Sequence, residues 1–177
     1  MGALKHHGRS LFRPHTIQLD RATTPFEGLR EQVARTFYYF VIDIMKYFAY
    51  GMNTNLEEMS HRCPTAQCLG PAWIKDHRLV FRTHADIESA VSEQCWGVMW
   101  EISSKDLEAL DRLEGWPYYY KRKTVMIYQN DRMVSGLVYY MTDQSYEQAP
   151  SAGYLECVQE GYQANGVPTA QLETTAR

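Results

Sequence analysis

The stretch from Met45 to Asn55 constrains this chain most. Lys46-Tyr47-Phe48-Ala49-Tyr50 is an aromatic, apolar strand candidate that stops at Gly51, with Asn53 and Asn55 following just before a charged, helix-like segment. A strand that runs through a glycine turn into a helix start leaves several backbone N–H groups pointing one way without partners. Such a turn can hold a carboxylate or a developing oxyanion. Tyr50, Gly51, Met52 and Asn53 are therefore candidate binding residues, although an ordinary strand–helix connection has the same local pattern.

The chain of 177 residues has the length of one domain with a sizeable core. Its 13 tyrosines suit strands and half-wet pockets better than long helical bundles. A net charge of −3 offers no electrostatic case for nucleic acid or an anionic membrane. No apolar run approaches the ~20 residues needed to span a bilayer. Cys63, Cys68, Cys95 and Cys157 form no Cys-x-x-Cys pair, which argues against a zinc site and for buried free thiols in a reducing cytoplasm.

Residues 1–44 differ from the rest. They are basic, carrying Arg9, Arg13, Arg21, Arg30 and Arg35, and have no sustained hydrophobic period. Met1-Gly2 opens like an acylation site, but His6 stands where Ser or Thr is wanted. There is no apolar signal core, and Asp20, Glu27 and Glu31 argue against a transit peptide. The expectation is a poorly ordered N-terminal extension over residues 1–44, with Met45 the ancestral or true start. An intact-mass measurement on the natively produced protein tests that expectation.

From there the pattern predicts a strand over residues 47–50 and a short helix from Thr54 or Asn55 to about His61. Strands are predicted over 66–74 and 79–82, with Lys75-Asp76-His77 turning between them. A polar loop follows over 84–94, then an apolar strand over 95–102. Gly97 inside that strand signals a bulge or a close backbone approach. Ser103-Ser104-Lys105-Asp106 resembles a capping box, and Leu107, Leu110 and Leu113 give the helix after it one apolar stripe. Gly115 and Pro117 end that helix. Residues 119–128 and 133–141 form a hairpin about Asn130-Asp131, and a last helix covers 154–164 before Asn165-Gly166 and Pro168. Residues 169–177 read as a polar tail. The element order implies an α+β domain with a mixed, mostly closed sheet and a few flanking helices.

Glu114 is the sharpest single residue. It lies in the last turn of a helix, at the negative end of the dipole, one step from the Trp116 ring. Both surroundings favour the protonated carboxyl and suit a general acid or base. Asp111 is the first alternative and Glu108 the second, and an exposed charge at a helix end would have the same sequence. Tyr154 is a candidate for offering a hydroxyl to a ligand. His61, His77 and His84 have no metal spacing and no nearby nucleophile signature.

Taken in order, these pieces resemble the γ-glutamylcyclotransferase-like family, small bacterial-type members included, over roughly residues 45–168. Tyr47-Phe48-Ala49-Tyr50-Gly51-x-Asn53 is similar to the family's opening F-A-Y-G-S-N. Arg62-Cys63-Pro64-x-Ala66, Leu69-Gly70, Leu79-x-Phe81, Ala85-Asp86-Ile87 and Trp96-Gly97-Val98-Met99-Trp100 resemble its next segments. Leu110-Asp111-x-x-Glu114-Gly115 resembles the helix end that carries the catalytic glutamate. Pro150-Ser151 through Tyr154 and Asn165-Gly166-Val167-Pro168 resemble the close of the glutathione-pathway members.

The resemblance implies a γ-glutamylcyclotransferase-like α+β barrel and release of 5-oxoproline from a γ-glutamyl amide, with Glu114 as general acid/base. Tyr50, Gly51, Met52, Asn53 and Tyr154 would hold the small-molecule substrate. It implies no metal, no organic cofactor, no nucleic acid and no membrane partner, and a cytoplasmic protein, with a homodimer left open. Met52 stands where the family has serine, so a backbone N–H survives there and a hydroxyl contact does not. Two alternatives remain at this point: a non-catalytic small-molecule-binding member of the same fold, or an enzyme that removes a γ-glutamyl protecting group in a biosynthetic pathway.

Overall fold

The structure is a computed structural model that describes residues 44–175, together with Leu29, Arg30 and Val33, which are helical. The chain divides into two compact units, Met1–Phe37 and Tyr38–Arg177. The N-terminal extension expected over residues 1–44 thus lies almost wholly outside the described residues, and so does its expected poor order.

The second unit is a closed five-stranded barrel. Strand β1 (Ile44–Ala49) leads through a 3-10 turn (Met52–Thr54) into helix α1 (Leu56–Arg62). Strands β2 (Gln67–Arg82) and β3 (His84–Ser103) form a long hairpin, and α2 (Ser104–Leu113) follows. Strands β4 (Tyr120–Gln129) and β5 (Arg132–Met141), then α3 (Ala152–Asn165) and α4 (Ala170–Thr175), complete the described chain. The barrel order is β1-β3-β2-β4-β5. It closes where β5 runs parallel to β1 at Tyr47 and Leu137, while the other pairings are antiparallel. The predicted α+β class with a mostly closed barrel is the observed one.

Local signals explain most element ends. Asn55 caps α1, its Oδ1 accepting the N–H groups of Glu57 and Glu58 at 3.0 and 3.3 Å. Ser103 and Asp106 close the predicted capping box on α2, each side chain accepting from the other's backbone N–H. Asn130 and Asp131 both have positive φ, the geometry that matches a two-residue turn to the twist of β4 and β5. At Gly97 the backbone of β1 comes so close that a Cβ would sit 2.1 Å from the Ala49 oxygen.

The hairpin of β2 and β3 departs from expectation. Lys75-Asp76-His77 is not a turn between two strands. It is a bulge within one strand, where Asp76 takes φ 57° and its Oδ1 accepts the Ser92 N–H at 2.9 Å. Residues 84–94, expected as a polar loop, belong to β3 and pair back onto β2 as far as Arg82 and His84. Most polar side chains here stay at the surface of a paired ribbon, while Ala85, Asp86 and Ile87 are buried.

The expected polar tail also differs, because α4 docks. Leu172 is buried, and Gln171 brackets Trp96, accepting from its N–H at 2.8 Å and donating to its carbonyl at 2.7 Å. Helix α3 in turn seats the turn after β1. Tyr162 Oη lies 2.8 Å from the Tyr50 carbonyl, and Asn165 Nδ2 donates to the Thr54 carbonyl at 2.9 Å. The four cysteines are free. Cys63 and Cys95 are buried as expected, but Cys68 is exposed.

Candidate active site

The end of β1, the 3-10 turn, the start of β3 and the C-terminus of α2 meet around a cavity of ≈ 250 Å³. Tyr50, Gly51, Met52, Asn53, Glu114 and Tyr154, far apart in sequence, all line it. Glu114 reaches the wall because it is the C-cap of α2, held by its N–H to the Leu110 carbonyl at 2.8 Å. Gly115 then turns the chain away with φ 63°.

Glu114 Oε1 accepts a hydrogen bond from Asn53 Nδ2 at 2.9 Å, and the same nitrogen lies 2.9 Å from the Tyr47 hydroxyl. Arg62 Nη1 donates to Asn53 Oδ1, which fixes the amide with its nitrogen toward the carboxyl. Burial pushes the Glu114 carboxyl up to about 7; the Asn53 bond and the Arg62 charge pull the other way but do not cancel it. The expected role of Trp116 in that desolvation is corrected. Trp116 is exposed, its ring lies 4.7 Å from the Arg122 guanidinium, and it is not a cavity wall. The enclosing groups are the cavity's tyrosines, Tyr47, Tyr120 and Tyr139 among them.

The alternatives to Glu114 are used elsewhere. Asp111 accepts from the Tyr139 hydroxyl at 2.6 Å and from Arg122 Nη1 at 2.9 and 3.1 Å, so its oxygens are committed to the frame. Glu108 is exposed on α2.

Across the cavity, the Tyr154 hydroxyl accepts from the Ala85 N–H at 3.0 Å. Burial raises this phenol to about 12, opposed by the Ala85 and Met52 N–H groups. Gly51 is the close approach that permits the arrangement, since a Cβ there would lie 2.7 Å from Ala85 Cβ and 2.9 Å from the Tyr154 hydroxyl. The Tyr50 ring lines the cavity, but its hydroxyl donates to the Tyr139 carbonyl at 2.8 Å and is structural. Met52 turns its sulfur to Arg62, with Sδ 3.0 Å from Nη2.

Several lining residues were not singled out from the sequence. Arg62 had a readable clue, the i, i+4 spacing from Glu58, whose Oε2 it meets at 2.6 Å. Tyr119, Tyr120 and Tyr139 enter through the hairpin and His84 through the β2–β3 turn, and nothing local marked them. Among the described residues, no group of three His, Cys, Asp or Glu side chains is arranged to hold a metal ion. No helix among them is long and apolar enough to cross a membrane.

The family model described as gamma-glutamyl cyclotransferase, AIG2-like matches residues 47–157, well over half of the chain. The chain belongs to the gamma-glutamyl cyclotransferase, AIG2-like family. The human gamma-glutamylcyclotransferase is 29% identical over 142 residues, which cover 72% of this chain and 74% of the relative. The bovine gamma-glutamylcyclotransferase is 28% identical over 157 residues, covering 80% and 78%. A solved gamma-glutamyl cyclotransferase superposes with a TM-score of 0.68 at 26% identity, covering 75% of this chain and 86% of its own. The family match spans the whole cavity, from Tyr47 on β1 to Tyr154 on α3.

Proposed function

We propose that this chain is a cyclotransferase that releases 5-oxoproline from a γ-glutamyl amide. The observation that carries this reading is Glu114. Its carboxyl is held near neutral pKa in the same cavity as the turn of residues 51–53 and the Tyr154 hydroxyl.

The chemistry needs no enzyme nucleophile, because the substrate's own α-amine attacks its γ-carbonyl and the two are already tethered. The Glu114 carboxylate takes a proton from the α-ammonium. The freed nitrogen adds to the carbonyl carbon, and the carbonyl electrons move onto oxygen. N–H groups of residues 51–53 stabilise that oxyanion. As the tetrahedral species collapses, the bond to the leaving nitrogen breaks. Glu114 delivers a proton to that nitrogen. The ring nitrogen gives up its second proton, which the departing amine takes up as its ammonium, and the ammonium and 5-oxoproline leave. One carboxyl serves both steps because it gives and takes a proton near the operating pH. Asn53 orients Glu114 Oε1, and Tyr154 with the turn is assigned to the α-carboxylate.

Incubation of the full chain with a panel of γ-glutamyl amino acids and γ-glutamyl amines, read by 5-oxoproline formation, tests the reading. Turnover of at least one member is the expected result. Binding without 5-oxoproline across the panel overturns it in favour of a non-catalytic binder. Release of a γ-glutamyl group as glutamate would instead identify a deprotecting hydrolase.

A further inference from the structure

Away from the cavity's lining, β2 and β4 bring a lysine and a histidine into contact. Lys123 Nζ lies 2.8 Å from His77 Nε2. His77 Nδ1 lies 2.8 Å from the Lys75 carbonyl, which has only lone pairs to offer, so Nδ1 carries the imidazole proton and Nε2 is left as an acceptor. The bulge at Asp76 puts the ring there, because it turns the chain locally between Lys75 and His77. Lys123 Nζ also stands 5.1 Å from the centre of the Tyr140 ring on β5, and both Lys123 and His77 are half-buried.

This is the arrangement of an activated nucleophile. An amine sits within hydrogen-bond reach of a base, and the base is oriented by a third group. Among the described residues Lys123 has no carboxylate in ion-pair contact, unlike Lys46, which is paired with Glu101. We propose that Lys123 is a modification site for activated acyl groups, acyl phosphates or thioesters, with His77 as the proton acceptor. Lys123 Nζ adds to the acyl carbon, the bond from that carbon to phosphate oxygen or thiolate sulfur breaks, and His77 Nε2 takes the proton lost by nitrogen. The products are an amide on Lys123 and free phosphate or thiol.

The charged neighbours agree with this role. Burial favours the neutral amine of Lys123, and only the Asp86 carboxylate on β3 opposes it. Burial and the Lys123 charge favour neutral His77, while the Lys75 carbonyl and Asp76 act the other way. Tyr140 presents its ring face.

The test is exposure of the full chain to acetyl phosphate in one arm and acetyl-coenzyme A in the other at neutral pH, with site occupancy read by peptide mass spectrometry. Exposed Lys105 and Lys121 are the internal references. Lys123 should acetylate at least about tenfold faster than either, below the usual contribution of a positioned base. The arm that shows the preference identifies the donor class. In His77→Leu the preference should vanish while Lys105 keeps its rate and the circular dichroism spectrum is unchanged, which reports that the fold is intact. Lys123 reacting no faster than Lys105 in both arms of the wild-type protein overturns the proposal without recourse to any variant.

Discussion

Asp86 and Glu114 each carry a carboxyl drawn back from water, and they are treated in opposite ways. Asp86 is completely buried and both of its oxygens accept hydrogen bonds. Oδ1 accepts the Met141 N–H at 2.8 Å, and Oδ2 accepts Arg82 Nη1 at 2.8 Å and Gln144 Nε2 at 2.9 Å. Arg82, itself buried, also meets Glu88 Oε2 at 2.7 Å. Glu114 is less buried yet has one hydrogen bond, from Asn53, and faces open cavity. A carboxyl with both oxygens held by several donors holds structure, because it is locked to those donors. A carboxyl taken from water with too few donors keeps its proton until near neutrality and can exchange it. The difference between a strut and an acid/base here is the count of donors, more than the depth of burial.

That contrast can be broken by substitution. Glu114→Gln should lower 5-oxoproline release by about 10²–10⁴-fold, the usual contribution of a positioned acid/base, with circular dichroism unchanged. Asp111→Asn should retain release, and equal loss in both variants would contradict the single-carboxyl mechanism. Asp86→Ala should do the reverse of Glu114→Gln. It removes one of the two carboxylate partners of buried Arg82 and the acceptor of the Met141 N–H, and should cost roughly 3–5 kcal/mol in denaturant unfolding. Gly51→Ala should cost about 1–3 kcal/mol and weaken turnover as well, since the new methyl displaces Ala85 or the Tyr154 hydroxyl. Tyr154→Phe is the mildest change. It removes an acceptor for the Ala85 N–H and a hydroxyl from the cavity, and should lower kcat/KM by about tenfold, one hydrogen bond's worth.

Glu114 should also show itself in the pH dependence of stability. Glu114 holds its proton more tightly folded than unfolded, so between 4.5 and about 7 the folded state binds more protons. Its stabilising contribution is complete below 4.5 and is lost as pH rises through about 7. Glu114→Gln should therefore flatten the decline of unfolding free energy across that window. A decline of unchanged slope in the variant would place its source elsewhere.

What was legible in the sequence was local. Asn55, the Ser103–Asp106 box, Gly115 and the Asn130-Asp131 turn each act within a few residues, so their types alone located the element ends. Glu114 and the turn at Gly51 were legible for the same reason, helped by the ordered family resemblance. The continuity of β2 through Asp76 was not, because a bulge and a turn share the same polar residues and only the partner strand distinguishes them. Residues 84–94 hid because a ribbon with a solvated face carries loop-like composition. Helix α4 hid because its docking rests on Leu172 and on one glutamine that reads the Trp96 backbone. Arg62 and the tyrosines of β4 and β5 reach the cavity through barrel closure, a long-range event without a local signature.

The most direct measurement is a carbon-13 NMR titration of the Glu114 carboxyl in the ligand-free full chain, assigned by its loss in Glu114→Gln. The account predicts a midpoint of about 7, so that carboxyl and carboxylate are both present at neutral pH. A midpoint near the ordinary 4.5 would contradict it, because so weak a base is poorly matched to taking the α-ammonium proton that it must then pass to the leaving nitrogen.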